Sequence, residues 1–190
     1  MLEKPPWALR VEMIAPRLGY PPRDKWGEGP WQHEPDLVEW RHPASGYPCL
    51  IVRGTMGALC GYVGLAPDHP LHGKEYGAEE PALDTLHVHG GLTFSDACHE
   101  GGHICHVAQP GEPDTVWWLG FDCNHSGDYD PAGKAILKGL MGGIESPLES
   151  IGYYTYRDLA YVRGEVESLA AQLKALEQVT LETPTEGING

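Results

Sequence analysis

The sequence predicts a loop-rich α+β fold of one domain, with a small, mostly antiparallel sheet carrying one long C-terminal helix. Two β-branched and aromatic runs flank a Gly-bounded turn, and a single long heptad stripe lies near the C-terminus. The chain holds 25 Gly and 17 Pro in 190 residues, so much of it is turn and loop, which excludes a helical bundle. A chain of this length suits one domain and buries a sizeable core without disulfide staples.

Residues 1–45 are punctuated by eight prolines with Trp7, Trp26, Trp31 and Trp40 between them. Proline blocks long helices while tryptophan needs burial, so this segment reads as an irregular arm wrapped over the core, with one or two helical turns at 35–40. Residues 46–133 form the His- and Cys-rich β core. Within it, 47–53 and 58–65 are a hairpin around the Gly54–Gly57 loop, 66–81 is an acidic loop, and 85–89 and 115–122 are further strands. Residues 134–182 are the helical part. Leu159, Val162, Val166, Leu169, Leu173 and Leu176 step by three and four, which predicts a helix over 156–178. That seam packs either on the parent sheet or in a homodimer through the C-terminal helix. Residues 183–190 read as a disordered tail.

Charge is distributed unevenly. The net charge is −14, and residues 54–133 hold twelve acidic side chains against one basic, Lys74. The same stretch holds eight of the ten histidines and four of the five cysteines. Such a surface repels polyanions, which excludes wrapping duplex nucleic acid, and it attracts divalent cations. No apolar run approaches a membrane span, and the first residues show no basic segment followed by an apolar stretch. The expectation is therefore a cytoplasmic protein without a membrane partner, whose odd number of cysteines are free thiols or metal ligands.

Three motifs can carry chemistry. On a strand, His87 and His89 of the His-x-His pair point to one face, and Gly90-Gly91 lets backbone approach a ligand. Asp122, His125 and Asp128 fall within seven positions at a strand end, where functional residues concentrate. Together His87, His89, Asp122, His125 and Asp128 form a mixed N/O set that suits zinc or manganese. Asp128 and His125 are then the catalytic groups. The alternatives are satisfied surface histidines and an Asx-type turn. The third motif offers Cys98, His103, Cys105 and His106 for a structural metal, or Cys98 or Cys105 as a nucleophile beside a histidine base. A Gly-rich phosphate loop is absent from the sequence.

Several of these stretches recur as a pattern: the runs 46–53 and 57–64, His89-Gly90-Gly91-Leu92-Thr93, Gly102-His103-Ile104-Cys105-His106, residues 110–114, the Trp117–Asp128 run and residues 156–162. Spanning most of residues 46–170, they resemble a widespread family of bacteriophage and prophage proteins of uncharacterised activity. The resemblance implies an accessory phage protein in the host cytoplasm and supplies no reaction. Two functions follow from the residues. One is a metal-dependent hydrolase acting on an ester or phosphodiester of a small, nucleotide-like substrate. The other is a non-catalytic protein that sequesters a small nucleotide signal of host defence, with Trp117 or Trp118 stacking on its base.

Overall fold

The computed structural model describes residues 4–14, 19–99, 104–112 and 115–182. Its architecture is α+β, with a six-stranded antiparallel sheet and a long C-terminal helix. The strands are β1 (Arg10–Glu12), β2 (Leu37–Arg41), β3 (Pro48–Arg53), β4 (Leu59–Leu65), β5 (Phe94–Ala97) and β6 (Trp117–Asp122), in the order β1-β2-β3-β4-β6-β5. The helices are α1 (Pro81–Asp84), α2 (Pro131–Leu140), α3 (Pro147–Ser150) and α4 (Leu159–Glu182). The expected hairpin is β3 paired with β4 around Gly54–Gly57, in the register Cys49↔Val63 to Arg53↔Leu59. Among the described residues no helix is long and apolar enough to cross a membrane.

Both faces of the sheet are buried. Val38, Trp40, Cys49, Ile51, Val63, Leu119 and Phe121 face α4, while Leu37, Leu50, Val52, Tyr62 and Trp118 pack on the opposite side with Ile14, Phe94 and Ile104. Strands covered twice read as continuous apolar runs, which is why 47–53 shows no alternation. On α4, Val162, Val166, Leu169 and Leu173 are fully buried against the sheet, with Leu159 and Leu176 partly buried beside them. A β-carbon on Gly61 in β4 would overlap Val166 and Phe121, so glycine there lets the helix come down onto the sheet. The heptad seam is thus packed on its own sheet, the first of the two arrangements expected for it.

Three further expectations are corrected. The N-terminal segment is more than an arm, because β1 and β2 are two of the six strands, at one edge of the sheet. Residues 37–41 are a strand rather than helical turns, since pairing with β1 and β3 on both sides overrides local preference. Residues 85–89 form no strand. Leu83 and Leu86 are buried in the α4 side of the core, and the chain here runs beside α4 instead of joining the sheet. The tail at 183–190 lies outside the described residues.

A buried polar network fixes where α4 begins. Arg53, at the end of β3, donates from Nε to Asp36 Oδ1 (2.8 Å), from Nη2 to Glu34 Oε2 (3.2 Å) and from Nη1 to the Tyr156 hydroxyl (2.7 Å). Glu34 in turn accepts from Tyr156 OH (2.5 Å) and from the Leu159 backbone N–H (2.8 Å), and Arg23 pairs with Asp36. The Glu34 carboxylate therefore occupies the N-terminus of α4, where free N–H groups and the helix dipole favour negative charge. This contact orients the first turn of the helix, and with it Arg157 and Tyr161.

Candidate functional site

Two loops and the first turns of α4 build the site. The segment carrying His89 is held by helix side chains. Gln172 accepts from the His87 N–H (2.8 Å) and donates to the His87 carbonyl (2.9 Å), and Glu165 accepts from the His89 N–H (2.8 Å). The Gly91 N–H to Val88 carbonyl bond (3.0 Å) closes a turn in which Gly90 has φ 68°, a region closed to most residues. A β-carbon on Gly90 would also overlap the His125 imidazole.

The second loop leaves β6 at Asp122 and turns back through His125. Its backbone pairs with the segment before α4: Thr155 N–H donates to Gly127 (2.8 Å) and Tyr129 N–H to Thr155 (2.9 Å). This short parallel bridge points Asp128 inward, where it is only 4% exposed. Asp128 Oδ2 accepts from His89 Nε2 (2.7 Å) and from the His125 N–H (3.0 Å), and Oδ1 accepts from Arg157 Nε (2.9 Å). Burial pushes the Asp128 carboxyl up, but these hydrogen bonds outweigh it, and the group sits below the usual carboxylate range. The same bond raises the Arg157 guanidinium further above neutrality. At neutral pH the pair is carboxylate and guanidinium.

His125 Nδ1 is 3.6 Å from Asp128 Oδ2, buried, and without a hydrogen-bond partner among the described residues. His89 uses both ring nitrogens, with Nδ1 3.0 Å from the Tyr161 hydroxyl. Arg157 lies over the Tyr161 ring at 4.9 Å. One donor atom from each of His89, His125 and Asp128 lies within 4.8 Å of the others, which is ligand spacing for one divalent ion.

Of the five residues expected at a shared site, the structure brings together His89, His125 and Asp128. His87 does not join them: without strand geometry the i, i+2 argument fails, and its side chain is exposed. Asp122 instead accepts from the Asn124 N–H (2.9 Å), the Asx-type turn weighed above. Arg157, two residues before α4, and Tyr161 and Glu165 on it were missed, because periodicity marks them only as positions off the apolar seam.

The cysteine motif is also corrected. Cys98 and Cys105 form a disulfide, so neither sulfur is a free thiolate for metal or nucleophilic attack. Their seven-residue separation and the short β5 edge bring the pair together. His103 lies outside the described residues, and the His106 ring packs 6.0 Å from that of Trp118. The remaining cysteines, Cys49, Cys60 and Cys123, are free, and burial raises each thiol, Cys60 to about 11. Trp118 is fully buried and Trp117 donates to the Lys74 carbonyl (2.9 Å), so Trp118 offers no stacking face. Comparison with protein-family models, with curated proteins and with solved structures finds no match, and the functional reading rests on the geometry of His89, His125 and Asp128.

Proposed function

We propose that His89, His125 and Asp128 hold a divalent metal, zinc or manganese, in a hydrolase acting on an ester or phosphodiester of a small, nucleotide-like substrate. The observation that carries this reading is the set of three donor atoms, one from each residue, within 4.8 Å of one another. Two imidazoles and one carboxylate leave coordination positions open, as catalytic sites require. The hydrogen bonds around them also fit, since ligating carboxylates and histidines are usually held from behind by further partners. Arg157 holds the far oxygen of Asp128, and Tyr161 holds the far nitrogen of His89.

When bound, a metal held by these residues would activate water and offset the negative charge of the substrate. The protein groups do the rest. Asp128 brings the charge that retains a cation, and Arg157 keeps its carboxylate from rotating. His125 would bind the ion through one ring nitrogen, so its other nitrogen would carry a proton on the 34% exposed side and could donate it to a substrate oxygen. An acidic surface would otherwise repel an anionic substrate, so cation and Arg157 together make the approach feasible. The resemblance to phage proteins supports an accessory role in an infected host.

Elemental analysis of tag-free protein tests the metal, followed by incubation with cyclic and linear nucleotides with and without chelator. One equivalent of metal per chain, lost in Asp128→Asn together with chelator-sensitive product, is the expected result. Metal-free protein that removes a nucleotide from solution and returns it intact on heating overturns hydrolysis in favour of sequestration.

A further inference from the structure

Among the described residues, the exposed apolar side chains concentrate away from the α4 seam. Fourteen large hydrophobic side chains are exposed among the described residues, and seven of them lie between positions 137 and 153. Leu137, Leu140, Met141 and Ile144 recur at helical spacing along the end of α2 and the turn after it, and Leu148 in α3 and Ile151 just after it follow in the chain, also exposed. Their exposure runs from 39% to 81%. The first half of α2 is anchored, through buried Pro131 and Ala132, the bond from Ala132 N–H to the Met56 carbonyl (2.9 Å) and Lys134 over the Tyr154 ring, while 137–140 are exposed. The outer half of the helix therefore presents apolar side chains to water, which a monomer has no reason to do.

We propose that this α2–α3 strip is the interface of a twofold dimer, covered by a second copy of the chain. Area is the first argument. The seven side chains together expose roughly 700 Å², taking 150–250 Å² for a large side chain, close to the roughly 800 Å² per partner of a stable interface. Charge is the second. On a chain of net charge −14, most approaches bring acid against acid, yet residues 134–153 hold Lys134 and Lys138 against Glu145 and Glu149 and are neutral. Lys138 and Glu145 pair within the chain at 3.2 Å while half exposed, so two copies related by a twofold axis can exchange these partners. A lipid surface is less suited, because helices that lie on membranes carry a lysine- and arginine-rich polar face, and here the signs balance. The strip also borders the candidate site: Tyr153 at its end bonds Ser126, between His125 and Asp128 (3.1 Å). The second copy is then a neighbour of the site. The dimer does not depend on the metal reading.

Sedimentation equilibrium of the full chain over a broad dilution series tests the interface. The expected mass is twice the 20.8 kDa of the chain. The variant Leu140→Glu/Ile151→Glu should keep its far-UV circular dichroism, since both side chains are exposed, and should raise the dimer dissociation constant at least about tenfold, as loss of a central apolar contact does. Lys138→Glu should weaken the dimer, and Lys138→Glu/Glu145→Lys should restore it. A chain that is monomeric throughout, a dimer insensitive to the Leu140→Glu/Ile151→Glu variant, or a mass that grows without closing at two overturns the proposal. A monomer that binds zwitterionic vesicles through the same residues assigns the strip to lipid instead.

Discussion

Gly90 shows how one residue can decide whether a site exists. Its φ of 68° turns the chain after His89, and the absence of a side chain leaves room for the His125 ring. Both needs are met only by glycine. Gly90→Ala should destabilise the fold by more than about 1 kcal/mol and displace His125, lowering metal occupancy while α4 stays helical. Thermal unfolding and elemental analysis check the two effects, and an alanine variant that keeps both would show that the turn is not needed. Glu177 tests the electrostatics at the far end of α4. Bonds from Lys174 and from the Tyr47 hydroxyl (both 2.6 Å) hold its carboxyl below the usual range. A depressed folded value means that its stabilisation is complete above the ordinary glutamate range and is lost as pH falls through the folded value. Glu177→Gln should lower stability at neutral pH and leave the acid end little changed, which flattens the acid limb of the stability–pH curve read by urea denaturation. At this scale the sequence was informative for His89, His125 and Asp128, whose residue types are chemical in themselves. It was silent on Arg157, because nothing local to an arginine at a helix start reveals a carboxylate 29 positions earlier.

Among the elements, legibility followed the range of the interactions. The β3–β4 hairpin and α4 rest on local period and a short turn, and both are where the pattern predicts. The segment 85–89 alternates like a strand, yet the partners of its backbone are the side chains of Gln172 and Glu165, which no periodicity encodes. β2 was masked by neighbouring prolines, and the Cys98–Cys105 bridge by the expectation of free thiols. Two measurements bear on these elements. Leu169 is fully buried under the sheet, so Leu169→Asp places an unpartnered carboxylate there and should cost several kcal/mol, roughly enough to unfold a domain of ordinary stability. Thiol titration of the denatured chain should find three reactive groups without reductant and five with it. Five without reductant would dismiss the bridge.

For the whole molecule, the balance between net charge and individual ion pairs determines the response to salt. The chain is −14, with most of the excess in residues 54–133, and this self-repulsion opposes folding. Against it stand two kinds of pair. Exposed ones such as Lys138–Glu145 are worth roughly 0–1 kcal/mol each and are screened together with the repulsion. The Arg53–Asp36–Glu34 cluster is shielded from solvent, with Arg53 side-chain exposure of 2%, so added salt hardly reaches it. Screening therefore removes more repulsion than attraction. The melting temperature should rise as sodium chloride is increased through about 0.1 M, where the screening length falls to about 10 Å, and should level off beyond it. Divalent ions test the candidate site against this background. A metal that binds at His89, His125 and Asp128 stabilises by mass action in proportion to its occupancy, and raises the melting temperature at concentrations too low to screen anything. The Asp128→Asn variant should keep the sodium chloride response and lose the response to trace zinc or manganese. A variant that retains both would leave the acidic surface, and not the three-residue cluster, as the seat of cation binding.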